Sequence, residues 1–78
     1  MKSGTIIRRL YRTDLEAQLP VRPKNQDTLA IEAEGGTLLL KVSWTYPIGP
    51  DQYHIDTIPI TKNPDLSLIK KGNKITIQ

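Results

Sequence analysis

The alternation of apolar and polar residues on either side of Gly35-Gly36 constrains this chain more than any other feature. Glycine takes positive φ without strain, so the pair reads as a two-residue hairpin turn. Folding the chain about it sets Ala33 opposite Leu38, Ile31 opposite Leu40 and Leu29 opposite Val42, an apolar face throughout. The other face sets Glu34 opposite Thr37, Glu32 opposite Leu39 and Ala30 opposite Lys41. A slip of one residue would turn the whole apolar set outward. Strands are therefore expected over 28–34 and 37–46. On the second, Leu38, Leu40, Val42, Trp44 and Tyr46 share one face. A third strand over 53–60 follows the connection 47–52, with Tyr46 opposite Tyr53, Trp44 opposite Ile55 and Ser43 opposite Asp56. Pro59 cannot donate to a ladder, so this strand is expected to bulge or become an edge there.

The flanks read differently. Residues 4–11 are rich in β-branched side chains at their start and suggest a strand. Thr13-Asp-Leu-Glu16 fits a capping box, which predicts a short helix over 14–19 ended by Pro20. One helix over 5–19 is the competing reading, since Ile6, Leu10, Leu15 and Leu19 recur near helical spacing. Residues 21–26 form a proline-containing loop. Asn63-Pro64-Asp65 resembles a helix start and Lys70-Lys71-Gly72 a stop, which predicts a helix over 64–71. A hairpin pairing 66–69 with 74–77 is the alternative there. Residues 74–78 read as a terminal strand with Ile75 and Ile77 inward.

The fold class that follows is a small β-rich domain spanning 1–78, all-β or α+β. It is an antiparallel meander of about five strands with one or two short helices, in the manner of an SH3-like or OB-type open barrel. Seventy-eight residues support one modest core. Cysteine is absent, which rules out disulfides, thiolate metal sites and a cysteine nucleophile. No apolar run approaches the roughly 20 residues of a membrane helix, and Ile6-Ile7 is broken at once by Arg8-Arg9. The expectation is a cytoplasmic protein with no membrane partner.

Charge placement carries the functional reading. Net charge is +3. Residues 1–24 hold Lys2, Arg8, Arg9, Arg12, Arg22 and Lys24 against Asp14 and Glu16. Residues 25–60 hold Lys41 against Asp27, Glu32, Glu34, Asp51 and Asp56. Residues 61–78 hold Lys62, Lys70, Lys71 and Lys74 against Asp65. Two basic ends thus flank an acidic middle. Arg8, Arg9, Arg12, Arg22 and Lys24 suit a phosphate backbone, with Lys70, Lys71 and Lys74 extending the patch where the chain ends meet. The same residues also suit an acidic protein surface, or a homodimer in which basic ends face acidic middles.

The only histidine, His54, shares a strand face with Asp56, and Ser43 and Thr45 stand opposite. A triad also needs an oxyanion site and a bonded nucleophile, which a flat strand face does not supply. No enzyme activity and no cofactor or metal are expected. Trp44, Tyr46 and Tyr53 would make a stacking platform if exposed, but their alignment with Leu38, Leu40 and Val42 predicts that they close the core. The expected function is a non-enzymatic binding module for nucleic acid, with a protein-interaction or assembly module as the alternative.

Overall fold

Six segments of the chain take up extended backbone. In the computed structural model, which describes residues 2–78, these become β1 (Lys2–Arg9), β2 (Leu15–Gln18), β3 (Thr28–Ala33), β4 (Gly36–Gly49), β5 (Gln52–Pro59) and β6 (Lys74–Ile77). A single 3₁₀ turn, Leu66–Leu68, precedes β6. Every neighbouring pair is antiparallel, and the strands close into a barrel in the order β1-β2-β5-β4-β3-β6. Closure brings the two ends of the chain together, with Gly4 opposite Ile75 and Lys2 opposite Ile77. The sheet therefore has no free edge to template aggregation.

The interior is aliphatic. Ile6, Leu15, Leu29, Ile31, Leu38, Leu40, Val42, Ile55 and Ile75 are all sealed from solvent. The β2–β3 connection buries Leu19 and Pro23 beneath one end. Leu68 and Ile69, from the β5–β6 connection, join the core at the other.

The hairpin keeps the face pattern but not the register read from Gly35-Gly36. The turn is Glu34-Gly35, Ala33 pairs with Gly36, and Ile31 pairs with Leu38. The shift is two residues, which preserves inward and outward sets. Alternation fixes parity alone. The second partner of β3 fixes the remainder, pairing Leu29 with Ile77 and Ile31 with Ile75. The left-handed glycine is Gly36, at φ +139°.

The helix expected over 14–19 is a strand, β2. Leu15 and Ala17 point inward while Glu16 and Gln18 do not, and β2 fills the gap between β1 and β5. A helix of six residues is too short to hold itself together, and the polar groups of the supposed cap are engaged across the barrel. Thr13 Oγ1 donates to the Thr57 carbonyl, Thr57 Oγ1 donates to the Thr13 carbonyl, and the Thr57 amide donates to Asp14 Oδ1.

The helix expected over 64–71 is only the 3₁₀ turn. Asp65 does cap it, accepting from the Ser67 amide and hydroxyl, and those bonds hold its carboxyl below the ordinary value, the hydroxyl first. The turn is followed by Ile69, and both Leu68 and Ile69 are buried. Ile69 takes φ −84° and ψ 76°, which is not helical, so the chain leaves the turn there. The strand count is thus six rather than five.

Gly4 shows how tightly the closure is built: a Cβ there would collide with the backbone carbonyl of Gln18. Gly4→Ala is expected to cost about 1–3 kcal/mol, as overpacking does, measurable by urea denaturation. Gly36→Val is expected to lower the melting temperature more than Gly35→Val, because only Gly36 has a φ that a β-branched side chain resists.

Candidate nucleic-acid interface

One extra residue in β4 builds the site. Val42 pairs with Thr57 and Trp44 with Asp56, which leaves Ser43 as a bulge anchored by its hydroxyl on the Asp56 carbonyl. A bulge inverts the parity of all that follows. Thr45 therefore turns inward, at 3% exposure, while Trp44 and Tyr46 turn outward at 55% and 45%. The expectation that these rings close the core is overturned. Only Tyr53 packs against it. A six-stranded barrel has room for little more than aliphatic side chains, and an indole stacked above Leu38, Leu40 and Val42 would not fit.

The expected pairing of β4 with β5 is corrected in the same way. Tyr46 lies opposite His54 rather than Tyr53, and Thr45 rather than Trp44 lies opposite Ile55. The connection expected over 47–52 narrows to the turn Pro50-Asp51, because β4 runs on to Gly49.

On the outer face, His54 stacks on Tyr46 with centroids 4.5 Å apart and planes 11° from parallel. His54 Nε2 donates to Asp56 Oδ1 at 2.6 Å. On the far side of β5, Glu16 is opposite His54 and accepts from Arg8 Nε at 2.7 Å. That hydrogen bond, and then the Glu16 charge, raises the Arg8 pKa. The hydroxyls that alternation sets opposite this histidine are engaged elsewhere. Ser43 donates to the Asp56 carbonyl, and Thr45 Oγ1 donates to the Pro23 carbonyl.

Thr45 links the face to the loop beneath it. Arg22 Nε donates to Thr45 Oγ1 at 2.9 Å, and Arg22 Nη2 donates to the Thr45 carbonyl at 2.6 Å. The guanidinium is thereby pinned at the mouth of an open cleft of about 520 Å³ lined by Arg22, Pro23, Lys24, Asn25, Trp44 and Thr45. None of these six is acidic. Lys24 is exposed, and Lys41, also exposed, precedes Trp44 along β4. No ion pair involving any of these three cations occurs among the described residues.

The barrel divides the remaining sequence-derived basic residues. Arg22 and Lys24 lie in the β2–β3 connection at the Trp44 end. Arg9, Arg12, Lys70, Lys71 and Lys74 lie at the opposite end, where β1 runs into β2 and the chain returns into β6. Their meeting is real: the Ile6 amide donates to the Asn73 carbonyl, and the Gly72 amide donates to the Ile6 carbonyl. Arg12 sits at φ +55°, its guanidinium 5.3 Å from the centre of the exposed Tyr11 ring. Arg8 stands between the two groups, paired to Glu16. Seven of the eight residues are therefore divided between the two ends of the barrel, and Arg8 is paired to Glu16.

Family models, curated proteins and solved structures offer no match to this chain. No helix among the described residues is long and apolar enough to cross a membrane.

Trp44→Ala is expected to change stability by less than about 1 kcal/mol, since exposed substitutions usually do little. Thr45→Val is expected to cost about 1–3 kcal/mol, because it strips the buried hydroxyl from both Arg22 and Pro23. Chemical denaturation of the two variants checks both values.

Proposed function

We propose that this protein is a non-enzymatic nucleic-acid-binding module whose interface is the outer face of β4 and β5 with the 22–25 loop. The observation that carries the reading is the Ser43 bulge. It puts two aromatic rings on the surface, one of which, Trp44, shares a cleft with the cations Arg22 and Lys24, while Lys41 lies three residues earlier on the same strand. Sequence-tolerant binders combine these same two elements, rings on which bases stack and cations that track the backbone. The charge of Arg22 is already oriented by Thr45, so little side-chain freedom is lost on contact. Binding here is expected to depend little on base identity, since no side chain is arranged as a groove reader.

Three phosphate contacts on a single strand give a log–log salt slope of about −2. The test is fluorescence anisotropy of a labelled oligonucleotide at about 50 mM and 200 mM salt, the range over which such contacts weaken strongly. Lys24→Ala is expected to reduce the slope by about 0.7, as loss of one single-strand phosphate contact does. Lys71→Ala, at the opposite end, is expected to leave it unchanged. Absence of binding at the lower salt would overturn the reading.

A protein partner is the second reading, and a separate observation favours it. At the other end of the barrel Tyr11, Ile58, Pro59 and Leu66 line a groove of about 550 Å³, with Arg12 among its walls. Ile58 and Ile60 are exposed there at 57% and 49%. An acidic protein surface with an apolar segment suits that end. If this reading holds instead, Ile58→Ser abolishes protein capture and nucleic acid gives flat titrations.

A further inference from the structure

We infer that the ligand is single-stranded and that one unpaired base enters the cleft between Trp44 and the 22–25 loop, stacking on the indole while Arg22 and Lys24 hold its phosphates. The inference rests on the nucleic-acid reading above and specifies which strand form and which ring it uses. Two rings are exposed on this face, but they are not equivalent. Tyr46 already has His54 against it, and His54 is held by Asp56. Trp44 has no aromatic or cationic partner among the described residues. It is the larger π-surface, and it borders the cleft.

The other wall of the cleft is built in place. Thr45 Oγ1 donates to the Pro23 carbonyl while it accepts from Arg22 Nε, so the loop and the guanidinium are fixed by one buried hydroxyl. Pro23 is itself fully buried. Arg22 has five N–H donors by its chemistry, and the bonds to Thr45 take two of them. The other three make no hydrogen bond to the described residues, and Arg22 lines the cleft. A planar base against Trp44 with its phosphate at Arg22 satisfies both walls at once. A base inside a duplex has its faces covered by its neighbours and cannot be offered this way without paying for unstacking.

The chain has a single tryptophan, so its emission reports on this ring alone. The experiment uses an oligothymidylate of roughly a dozen nucleotides, within the usual site sizes of about 4–16. It is compared with an abasic oligomer of equal length and a duplex of equal length. Tryptophan emission is read beside anisotropy. The thymidylate is expected to quench Trp44, while the abasic oligomer and the duplex bind more weakly and leave emission unchanged. Trp44→Ala is expected to weaken thymidylate binding by about fivefold or more, the loss of one base–aromatic stack, and Trp44→Phe to restore most of it. Melting curves of both variants confirm that they fold.

Binding that persists with unquenched emission, equal affinity for abasic and thymidylate strands and no effect of Trp44→Ala would overturn this inference while leaving the nucleic-acid reading intact. Absence of binding to all three probes would overturn both.

Discussion

Closure of β1 against both β2 and β6 is the constraint on which the rest of this structure depends. It joins the two ends of a short chain, removes the sheet edges and fixes the width of the interior. Its tightest point is Gly4, set opposite Ile75 with its α-carbon against the Gln18 carbonyl. A barrel of six short strands encloses little volume, and aliphatic side chains fill what there is. Phenylalanine is absent from the sequence, and no aromatic ring is fully buried. The exposure of Trp44 is thus a result of barrel size as much as of local backbone geometry.

The Ser43 bulge turns that exclusion into a surface with two elements. The same inversion that sends Trp44 and Tyr46 outward brings the Thr45 hydroxyl inward, where it fixes Arg22 and Pro23. Stability and the candidate interface are therefore coupled through one side chain. A polar residue at a buried position is tolerated when its hydrogen bonds are complete. No buried side-chain nitrogen or oxygen among the described residues lacks a partner.

Charge along the chain is arranged by the topology rather than by sequence blocks. Lys74 of the basic C-terminal stretch stands opposite Glu32 of the acidic middle, and Arg8 pairs with Glu16. The Arg8–Glu16 ion pair consumes part of the charge that sequence blocks would assign to a partner. It leaves Arg22 and Lys24 at one end and Arg9, Arg12, Lys70, Lys71 and Lys74 at the other. The two ends also differ in their apolar company: an indole beside the first, aliphatic residues and Tyr11 beside the second.

The sequence by itself determined the β-rich class, the inward set Leu29, Ile31, Leu38, Leu40 and Val42, and the inward direction of Ile75 and Ile77. Those follow from period-two alternation, which is local. It did not determine the register of the 34–35 turn, because a shift of two leaves the faces unchanged and only the pairing of β3 with β6 chooses between them. The residues of the Thr13–Glu16 capping box were legible, but their partner was not: Thr57 lies 44 positions from Thr13, and no local pattern announces that pairing. The candidate site was half legible. Arg22 and Lys24 stand out by charge, whereas alternation assigns Trp44 and Tyr46 to the core because it assumes an unbroken ladder. A bulge is a property of two strands in contact, and Ser43 gives no sign of it until Asp56 lies alongside.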